Sequence, residues 1–319
     1  MSPARRTLTA LRGLRVGQAE TPDGASGVTV VLFDRPAATV VDVRGGASAT
    51  YDTASLSLDA TFGRRWAIFF AGGSLYGLDA ARGIRTRILE VGGGRGVFQN
   101  PTPVVQISGA ALFDLPQHSG PIPDYLPLGY EAARRADHQP VTSGRVGAGA
   151  GATVGKYRGY RWRMLGGVGS AADSRGADGA VGVLVAVNAV GAIRDPRNGR
   201  WVAGARSASG RIVGPDVRPG HPLRATGTTL AVAVTDVAVD RPTLARVAAM
   251  VHTGLASAIR PFHSATDGDV VFAATTAPRS SSRRPGRPGE IADRLGFRAS
   301  ELAVESVLRA VRAAQRAGR

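Results

Sequence analysis

The sequence predicts a layered domain of the α/β or α+β class. Short apolar segments recur along the chain and alternate with amphipathic helical patterns, a combination that forms packed layers of helices and sheet. Hydrophobic residues make up 43% of the chain and charged residues 20%, which is the usage of a folded globular protein. The 319 residues can bury one large core or two ordinary ones, because domains commonly contain about 100–200 residues.

The predicted strands are mostly continuous apolar runs rather than strict alternations of apolar and polar residues. This pattern indicates strands that are buried on both faces. Seven segments fit it: residues 28–33, 38–43, 66–71, 103–107, 181–187, 229–234 and 270–275.

Two segments carry the clearest helical periodicity. Apolar residues in 241–262 recur at i, i+3, i+4 and i+7, with Asp240 before the pattern and Pro261 near its end. Residues 300–316 repeat this periodicity, and Ser300 is a suitable N-cap. Both segments are predicted to be amphipathic helices.

Two further segments interrupt these elements. Residues 277–290 are polar, basic and broken by proline, which is the composition of a linker. Residues 144–156 are rich in glycine but lack the GxxxxGK[ST] order of a phosphate loop, because Tyr157 follows Lys156. No convincing strand leads into the approximate dinucleotide-binding pattern in this loop. We therefore expect a tight-turn segment packed against the sheet.

Composition excludes several kinds of site. The chain has no cysteine and hence no disulfide, thiolate nucleophile or cysteine metal ligand. Its five histidines lack the spacing of paired ligands, so neither a metal nor a cofactor is expected. His252 lies within a predicted helix and is expected to be packed or hydrogen bonded.

The formal net charge of +16 raises the possibility of a polyanionic partner. Basic residues are scattered, however, and aromatic residues interleave with them only at 156–163, so we expect solvated surface and no specific nucleic-acid site. No apolar run reaches the roughly 18 residues of a membrane span, and the N-terminal segment lacks a secretory signal pattern. A cytoplasmic protein without a membrane partner is expected.

Ser74 follows the predicted strand 66–71 in the sequence GGS. A nucleophile elbow requires GxSxG, whereas Tyr76 occupies the position of the last glycine. Ser74 is therefore predicted to cap the helical segment that follows it.

Polar residues at the ends of two predicted strands are candidates for a site. Asn188 ends an apolar run, and its amide either completes a local turn or points at a group that needs hydrogen-bond donors. Asp267 and Asp269 flank a glycine at the start of another strand, where turn chemistry and a shared site are both compatible with the pattern.

The sequence TGTTL contains the most reactive candidate, Thr228. A threonine hydroxyl needs a base, and the free α-amine of an N-terminal threonine, with a pKa of about 7.7–8.0, can act as one. Thr228 is internal, so the chain would first have to cut itself, and Gly227 permits backbone conformations that a strained peptide requires. The same pattern also fits a strand that begins after a turn.

The surrounding segments resemble the self-processing L-aminopeptidase/D-esterase family, which includes β-aminopeptidases and nylon-oligomer (6-aminohexanoate-oligomer) endohydrolases. The resemblance runs from about residue 13 to 276 and resumes weakly in the last helix. It rests on eight segments in the family's order: residues 13–20, 41–46, 71–83, 110–115, 145–156, 183–191, 227–237 and 259–276.

This resemblance implies an α/β/β/α sandwich of four layers and an N-terminal-nucleophile hydrolase. One catalytic domain, residues 1–276 and 291–319, would cut itself between Gly227 and Thr228 into chains 1–227 and 228–319. Members commonly assemble as tetramers of such pairs. The nylon-oligomer branch has asparagine where this chain has Gly227, whereas the aminopeptidase branch has glycine before its nucleophile.

The resemblance also implies roles for individual residues. Thr228 would be the nucleophile and, through its amine, the base, while Asn188 would donate to the oxyanion. Lys156 would lower the pKa of the amine by its positive charge, and Asp267 and Asp269 would orient Lys156 and the amine.

The substrate class and two alternative functions stay open at this level. The substrate is expected to be a peptide or another linear amide. A related acyltransferase would pass the acyl group to an amine instead of water. A noncatalytic protein would stay uncut and bind a polyanion through the basic tail from residue 277 onward.

Overall fold

The structure is a computed structural model that describes residues 6–117, 120–174, 179–215, 225–278 and 287–317. Over these residues the α helices are α1 (Ala80–Glu90), α2 (Tyr125–Arg134), α3 (Arg241–Ala258) and α4 (Pro288–Ala317). Short 3-10 helices span Leu8–Ala10, Ala54–Leu56, Ser74–Asp79, Leu115–Gln117, Gly147–Gly149, Lys156–Arg158 and Tyr160–Trp162. The strands are β1 (Leu14–Glu20), β2 (Gly27–Val43), β3 (Ala49–Tyr51), β4 (Arg64–Ala71), β5 (Arg95–Val97), β6 (Asn100–Val104), β7 (Ile107–Ala111), β8 (Thr153–Val154), β9 (Met164–Leu165), β10 (Gly167–Asp173), β11 (Val181–Asn188), β12 (Ala192–Arg194), β13 (Trp201–Ala203), β14 (Ala205–Arg206), β15 (Ile212–Val213), β16 (Thr228–Thr235), β17 (Ile259–Arg260) and β18 (Val270–Thr275).

Nine strands of the described chain form one mixed sheet that folds over on itself at β2. The order is β10-β11-β16-β18-β2-β4-β7-β3, and β1 pairs with β2 outside this path. The pairs β16–β18 and β4–β7 are parallel, and the others are antiparallel. The register between β2 and β4 shifts between Leu32 and Ala37, and such an irregularity bends a strand.

The two halves of the sheet face each other and are covered by helices on their outer sides. Phe70 of one half and Phe272 of the other share the inner core, with ring centroids 6.3 Å apart. Helices α1 and α2 pack on the outer face of β4 and β7, while α3 and α4 pack on the outer face of β11 and β16. The predicted four-layer α/β/β/α sandwich is confirmed.

The predicted strands differ from the structure in two places. Segments 28–33 and 38–43 belong to the single long strand β2. Segment 103–107 is wrong as a strand, because it spans the end of β6 and the start of β7. Strand β7 has the sequence ISGAA and is fully buried. Because most of its residues are small, it lacks the run of large apolar side chains by which the other strands were predicted.

Helix α4 begins twelve residues before the predicted start at Ser300, which lies inside the helix rather than at its N-cap. Gly254 of α3 explains the close approach of the two helices here, because a Cβ atom on it would lie 2.3 Å from the Ser300 carbonyl oxygen. The predicted linker overlaps the first turn of α4, and its residues 279–286 lie outside the described residues. In the described part of the chain, no helix is long and apolar enough to span a membrane.

Candidate active site

Thr228 and Asn188 lie side by side at one end of the inner core. Thr228 begins β16, Asn188 ends β11, and the two residues are cross-strand partners. Side chains alternate along a strand, so Thr228 shares the inner face with Leu230, and Asn188 shares it with Ala186. Both polar side chains are buried, and the sheet register therefore brings these two predicted site residues together.

The carbonyl group before Thr228 is buried and accepts two hydrogen bonds. The Thr228 hydroxyl donates to the Gly227 carbonyl oxygen at 2.6 Å. The backbone N–H of Gly268 donates to the same oxygen at 2.9 Å. Two donors thus polarise the carbonyl that the hydroxyl would attack.

Gly227 is required for space rather than for an unusual backbone conformation. Its φ lies outside the left-handed region, contrary to the expectation from sequence. A Cβ atom there would lie 2.3 Å from the Val190 backbone nitrogen and 2.6 Å from Asp267 Oδ1. The chain can therefore pass between Val190 and Asp267 only without a side chain.

Lys156 reaches Asn188 from the glycine-rich loop. Its ammonium donates to the Asn188 carbonyl oxygen at 2.7 Å and to Asn188 Oδ1 at 2.8 Å. Burial lowers the pKa of Lys156 to about 7, although the carboxylates of Asp267 and Asp114 act in the opposite direction. Gly155 has a left-handed φ of 76° and packs against the Gly204 backbone, which lets Lys156 enter so crowded a place.

The Asn188 amide has a defined orientation. Its Oδ1 accepts from the Thr153 backbone N–H at 2.9 Å as well as from Lys156, so it must be the oxygen. Its Nδ2 donates to the Phe113 carbonyl oxygen at 2.8 Å. That bond uses one of the two amide hydrogens, and the second has no acceptor among the described residues.

The two aspartates have different partners. Asp269 Oδ1 accepts from the Thr229 backbone N–H at 2.7 Å, and its Oδ2 accepts from both His263 Nδ1 and the His263 backbone N–H. Asp267 Oδ2 accepts from the backbone and hydroxyl of Ser264. Neither aspartate is hydrogen bonded to Lys156, which Asp267 influences through its charge. The structure therefore separates two carboxylates that the sequence analysis treated together.

One oxygen of Asp267 is unusual. Oδ1 is buried and has no hydrogen-bond partner among the described residues. Burial, followed by the neighbouring Asp269 charge, raises the pKa of the Asp267 carboxyl. An unpaired buried acceptor costs about 1–3 kcal/mol, so this oxygen is a place where a donor would be stabilised.

A second buried network lies behind the Asn188 amide and was missed by the sequence analysis. Asp114 accepts from the Ser26 hydroxyl at 2.8 Å and the Gly73 backbone N–H at 2.7 Å, and Tyr125 is hydrogen bonded to Ser26. Burial raises the pKa of Asp114 to about 6. The only sequence signal was a lone aspartate three residues after a strand of small residues.

Three other residues outside the predicted site are informative. Ser74 does not cap a helix: its φ is 55°, and Gly73 occupies the N-cap position without a side-chain hydrogen bond. His263 and Ser264, which bind the two aspartates, lie four and three residues before the DGD sequence, and this proximity was the available signal. Within the described ranges, no group of histidine and acidic side chains could hold a metal ion; His118 and His221 lie outside those ranges.

His252 is buried in α3, as predicted, and its Nε2 lies 3.1 Å from the Asp42 carbonyl oxygen. Burial lowers its pKa to about 4, so the folded state disfavours the charged ring. Between pH 6.5 and about 4 the unfolded chain therefore binds the proton more readily, and stability falls with falling pH by up to about 3 kcal/mol.

We expect His252→Gln to lose less thermal stability than the wild type between pH 7 and pH 5. The raised pKa of Asp114 stabilises the fold in the opposite direction over part of this range, so only the difference between the two proteins isolates His252. The measurement is the melting temperature of both proteins at both pH values. Equal decreases in melting temperature for the two proteins would show that His252 does not cause the loss of stability at low pH.

Comparisons with known proteins show the family to which the chain belongs. The family model described as Peptidase family S58 matches residues 6–319. An uncharacterized aminopeptidase of Mycobacterium tuberculosis is 33% identical over 334 aligned positions, which cover 97% of this chain and 94% of the relative. A 6-aminohexanoate-oligomer endohydrolase of a Kocuria species is 31% identical over 320 positions, covering 94% of this chain and 84% of the relative.

Solved structures share the fold at lower sequence identity. The L-aminopeptidase D-Ala-esterase/amidase of Ochrobactrum anthropi, described as a variant of the Ntn hydrolase fold, has a TM-score of 0.71 at 19% identity, covering 97% of this chain and 86% of that chain. A β-aminopeptidase of a Burkholderia species has a TM-score of 0.66 at 21% identity, with the same coverage. The family resemblance predicted from the ordered segments is confirmed: the chain belongs to Peptidase family S58 and is a hydrolase.

Proposed function

We propose that this protein is an amide hydrolase that activates itself by cutting between Gly227 and Thr228. The observation that carries the proposal is the contact of the Thr228 hydroxyl with the Gly227 carbonyl oxygen, which also accepts from the Gly268 N–H. The hydroxyl, the carbonyl group that it would attack and a donor for the oxyanion are thus in contact in the uncut chain, which supports the proposal.

The cutting step follows from these contacts. The Thr228 hydroxyl oxygen attacks the Gly227 carbonyl carbon, its proton is transferred to the Thr228 nitrogen, and the C–N bond breaks. An ester then joins Gly227 to the threonine oxygen. Water hydrolyses the ester, which restores the hydroxyl and leaves a carboxylate on Gly227 and a free amine on Thr228. The Gly268 N–H would stabilise the oxyanion in both steps.

The segment before the cut is held in place for this reaction. Thr266 donates its hydroxyl hydrogen to the Ala225 carbonyl oxygen at 2.7 Å, and the hydroxyls of Tyr160 and Thr226 are 3.2 Å apart. The backbones of Gly227 and Asp267 form an isolated parallel β-bridge. Fixing the reacting peptide in this way supplies the orientation that an intramolecular attack needs.

After cutting, the new amine would act as the base for its own hydroxyl. The unpaired Asp267 Oδ1 lies at the severed bond, since a Cβ atom on Gly227 would be 2.6 Å from it. We infer that this oxygen accepts a hydrogen bond from the amine. Asn188 would donate its second Nδ2 hydrogen to the oxyanion of the substrate, with Lys156 supplying positive charge next to it.

Relatives support a peptide or another linear amide as substrate, because they are named aminopeptidase and 6-aminohexanoate-oligomer endohydrolase. An acyl-enzyme could also react with an amine, and hydrolysis assays with and without an added amine separate a hydrolase from an acyltransferase. A noncatalytic polyanion-binding protein would stay uncut, and residues 279–286 of its proposed basic tail lie outside the described residues. The cytoplasmic location and the tetramer of cut pairs stay predictions.

The mass of the purified protein under denaturing conditions tests the proposal. Residues 228–319 are 92 of 319, so a cut chain of 32.9 kDa would give fragments of about 9.5 and about 23 kDa. The smaller fragment should begin with threonine. One intact species that is stable over days would contradict self-cutting and favour the binding protein.

Lys156 predicts a pH dependence of turnover. With a pKa of about 7, Lys156 loses its charge as the pH rises through that value, and with it the electrostatic stabilisation of the oxyanion. We expect Lys156→Met to lower kcat strongly at pH 6 and less at pH 8.5, so that the ratio of wild-type to variant kcat falls about tenfold. A ratio that is independent of pH would show that the charge of Lys156 has no part in turnover.

A further inference from the structure

His263 contacts both helix α3, through the ring of His252, and Asp269 at the start of β18. It follows β17 and reaches Asp269 with two donors, the backbone N–H at 3.1 Å and Nδ1 at 2.9 Å. Both donors meet the same oxygen, Oδ2. A carboxylate oxygen is an acceptor, so the hydrogen of the neutral ring must reside on Nδ1.

Asp269 also binds the backbone next to Thr228. Its other oxygen, Oδ1, accepts from the Thr229 backbone N–H at 2.7 Å. This N–H belongs to the peptide directly after Thr228, so its position determines where β16 begins. Asp269 is 1% exposed, and its hydrogen bonds are therefore little weakened by water.

The backbone of His263 shows that this geometry is maintained by its surroundings. Its φ is 59°, a left-handed conformation that is uncommon outside glycine and is favoured among other residues by Asn, Asp and His. The ring centroids of Phe262 and His263 are 3.9 Å apart, and those of the buried His252 and His263 are 4.8 Å apart. Aromatic contacts and the Asp269 carboxylate together hold the imidazole in one orientation.

We propose that His263 is a positioning residue, which sets the place of the Thr228 hydroxyl through Asp269 and the Thr229 N–H. It does not touch the reacting atoms. The proposal rests on the proposed function, since it assumes that Thr228 is the nucleophile. It explains why a histidine, rather than glycine, occupies a left-handed position next to the DGD sequence.

Three variants separate the hydrogen bond from the backbone conformation. His263→Asn tolerates the left-handed φ and places an amide hydrogen near the position of Nδ1–H. His263→Gly tolerates the same φ but lacks the side-chain donor. His263→Ala lacks the donor and is strained as well. A purely conformational role would leave the glycine variant unharmed, whereas a positioning role would leave the asparagine variant unharmed.

The first measurement is hydrogen exchange of the Thr229 amide by NMR, with Thr228→Ala added so that the chain stays uncut. We expect exchange at Thr229 to be about tenfold faster with His263→Gly, relative to the Thr235 amide at the far end of β16, and unchanged with His263→Asn. Equal protection of Thr229 with and without His263→Gly would overturn the proposal. This measurement does not depend on activity, so it decides the proposal even if the wild type never cuts itself.

The second measurement is the half-time of cutting with Thr228 intact. His263→Gly is expected to cut about tenfold more slowly than the wild type, while His263→Asn should stay within about threefold. If His263→Asn is as slow as His263→Gly, the side-chain donor is not the relevant feature and the proposal fails. Failure of the wild type to cut would instead contradict the proposed function.

Discussion

Thr228→Ala is expected to leave the protein as one chain of 32.9 kDa without hydrolase activity. The variant lacks the oxygen that attacks the Gly227 carbonyl, and without the cut no free amine forms at residue 228. The fold should persist, because the methyl side chain keeps its place on the inner face of β16 and the removed hydroxyl bonds only the adjacent carbonyl. Mass spectrometry under denaturing conditions and an amide-hydrolysis assay measure the two effects.

Two further variants serve as controls for this experiment. Thr228→Ser retains a hydroxyl at the same place and should still cut. Thr235→Ala removes a buried threonine hydroxyl from the opposite end of β16, where it donates to the Ala180 carbonyl oxygen. It should cut normally and lose about 1 kcal/mol of stability. Full hydrolysis by Thr228→Ala would eliminate the proposed mechanism.

Asn188→Ala is expected to lower kcat by about 10²–10³-fold, the usual effect of removing one oxyanion donor. Removing the amide also leaves the Thr153 N–H, the Phe113 carbonyl and the Lys156 ammonium with one partner fewer. We therefore expect a lower melting temperature as well. Turnover should be measured on cut protein well below that temperature, so that loss of chemistry is separated from loss of fold.

The matched control is Asn198→Ala. Asn198 lies in an exposed turn, where its side chain accepts only from the Arg200 backbone N–H. Its replacement should leave kcat unchanged. If Asn188→Ala keeps wild-type kcat once it is cut, another group must bind the oxyanion, and the assignment of Asn188 is wrong.

The layers of the fold could be predicted because burial leaves a local signal. Continuous apolar runs identified the strands that contribute both faces to cores, and helical periodicity identified α3. The signal failed where small residues do the packing. It missed β7 for this reason. The start of α4 was placed twelve residues too late, at Ser300, although Ile291 and Leu295 of its first turns are buried.

The candidate site was predicted largely from the family resemblance, which named Thr228, Asn188, Lys156 and the two aspartates. Residue patterns alone could not distinguish a nucleophile from a strand that begins after a turn. Neither the residue patterns nor the resemblance identified His263, Ser264 or Asp114. Ser264 and His263 lie only three and six residues before the aspartates that they bind, whereas Asp114 meets its partner only in the folded chain. Asp114 lies 88 positions from Ser26, with which it forms a buried hydrogen bond.

What the sequence by itself determined is local: which segments are apolar, which turns contain glycine, and where a threonine follows a glycine at the start of a strand. The tertiary structure decided which groups meet. The register of β11 with β16 places Asn188 beside Thr228, and the glycine-rich loop brings Lys156 to the same point. Residue 227 is glycine because Val190 and Asp267 leave no room for a side chain between them. Hydrogen bonds and steric exclusion act over a few ångströms, and only the folded chain brings distant positions within that range.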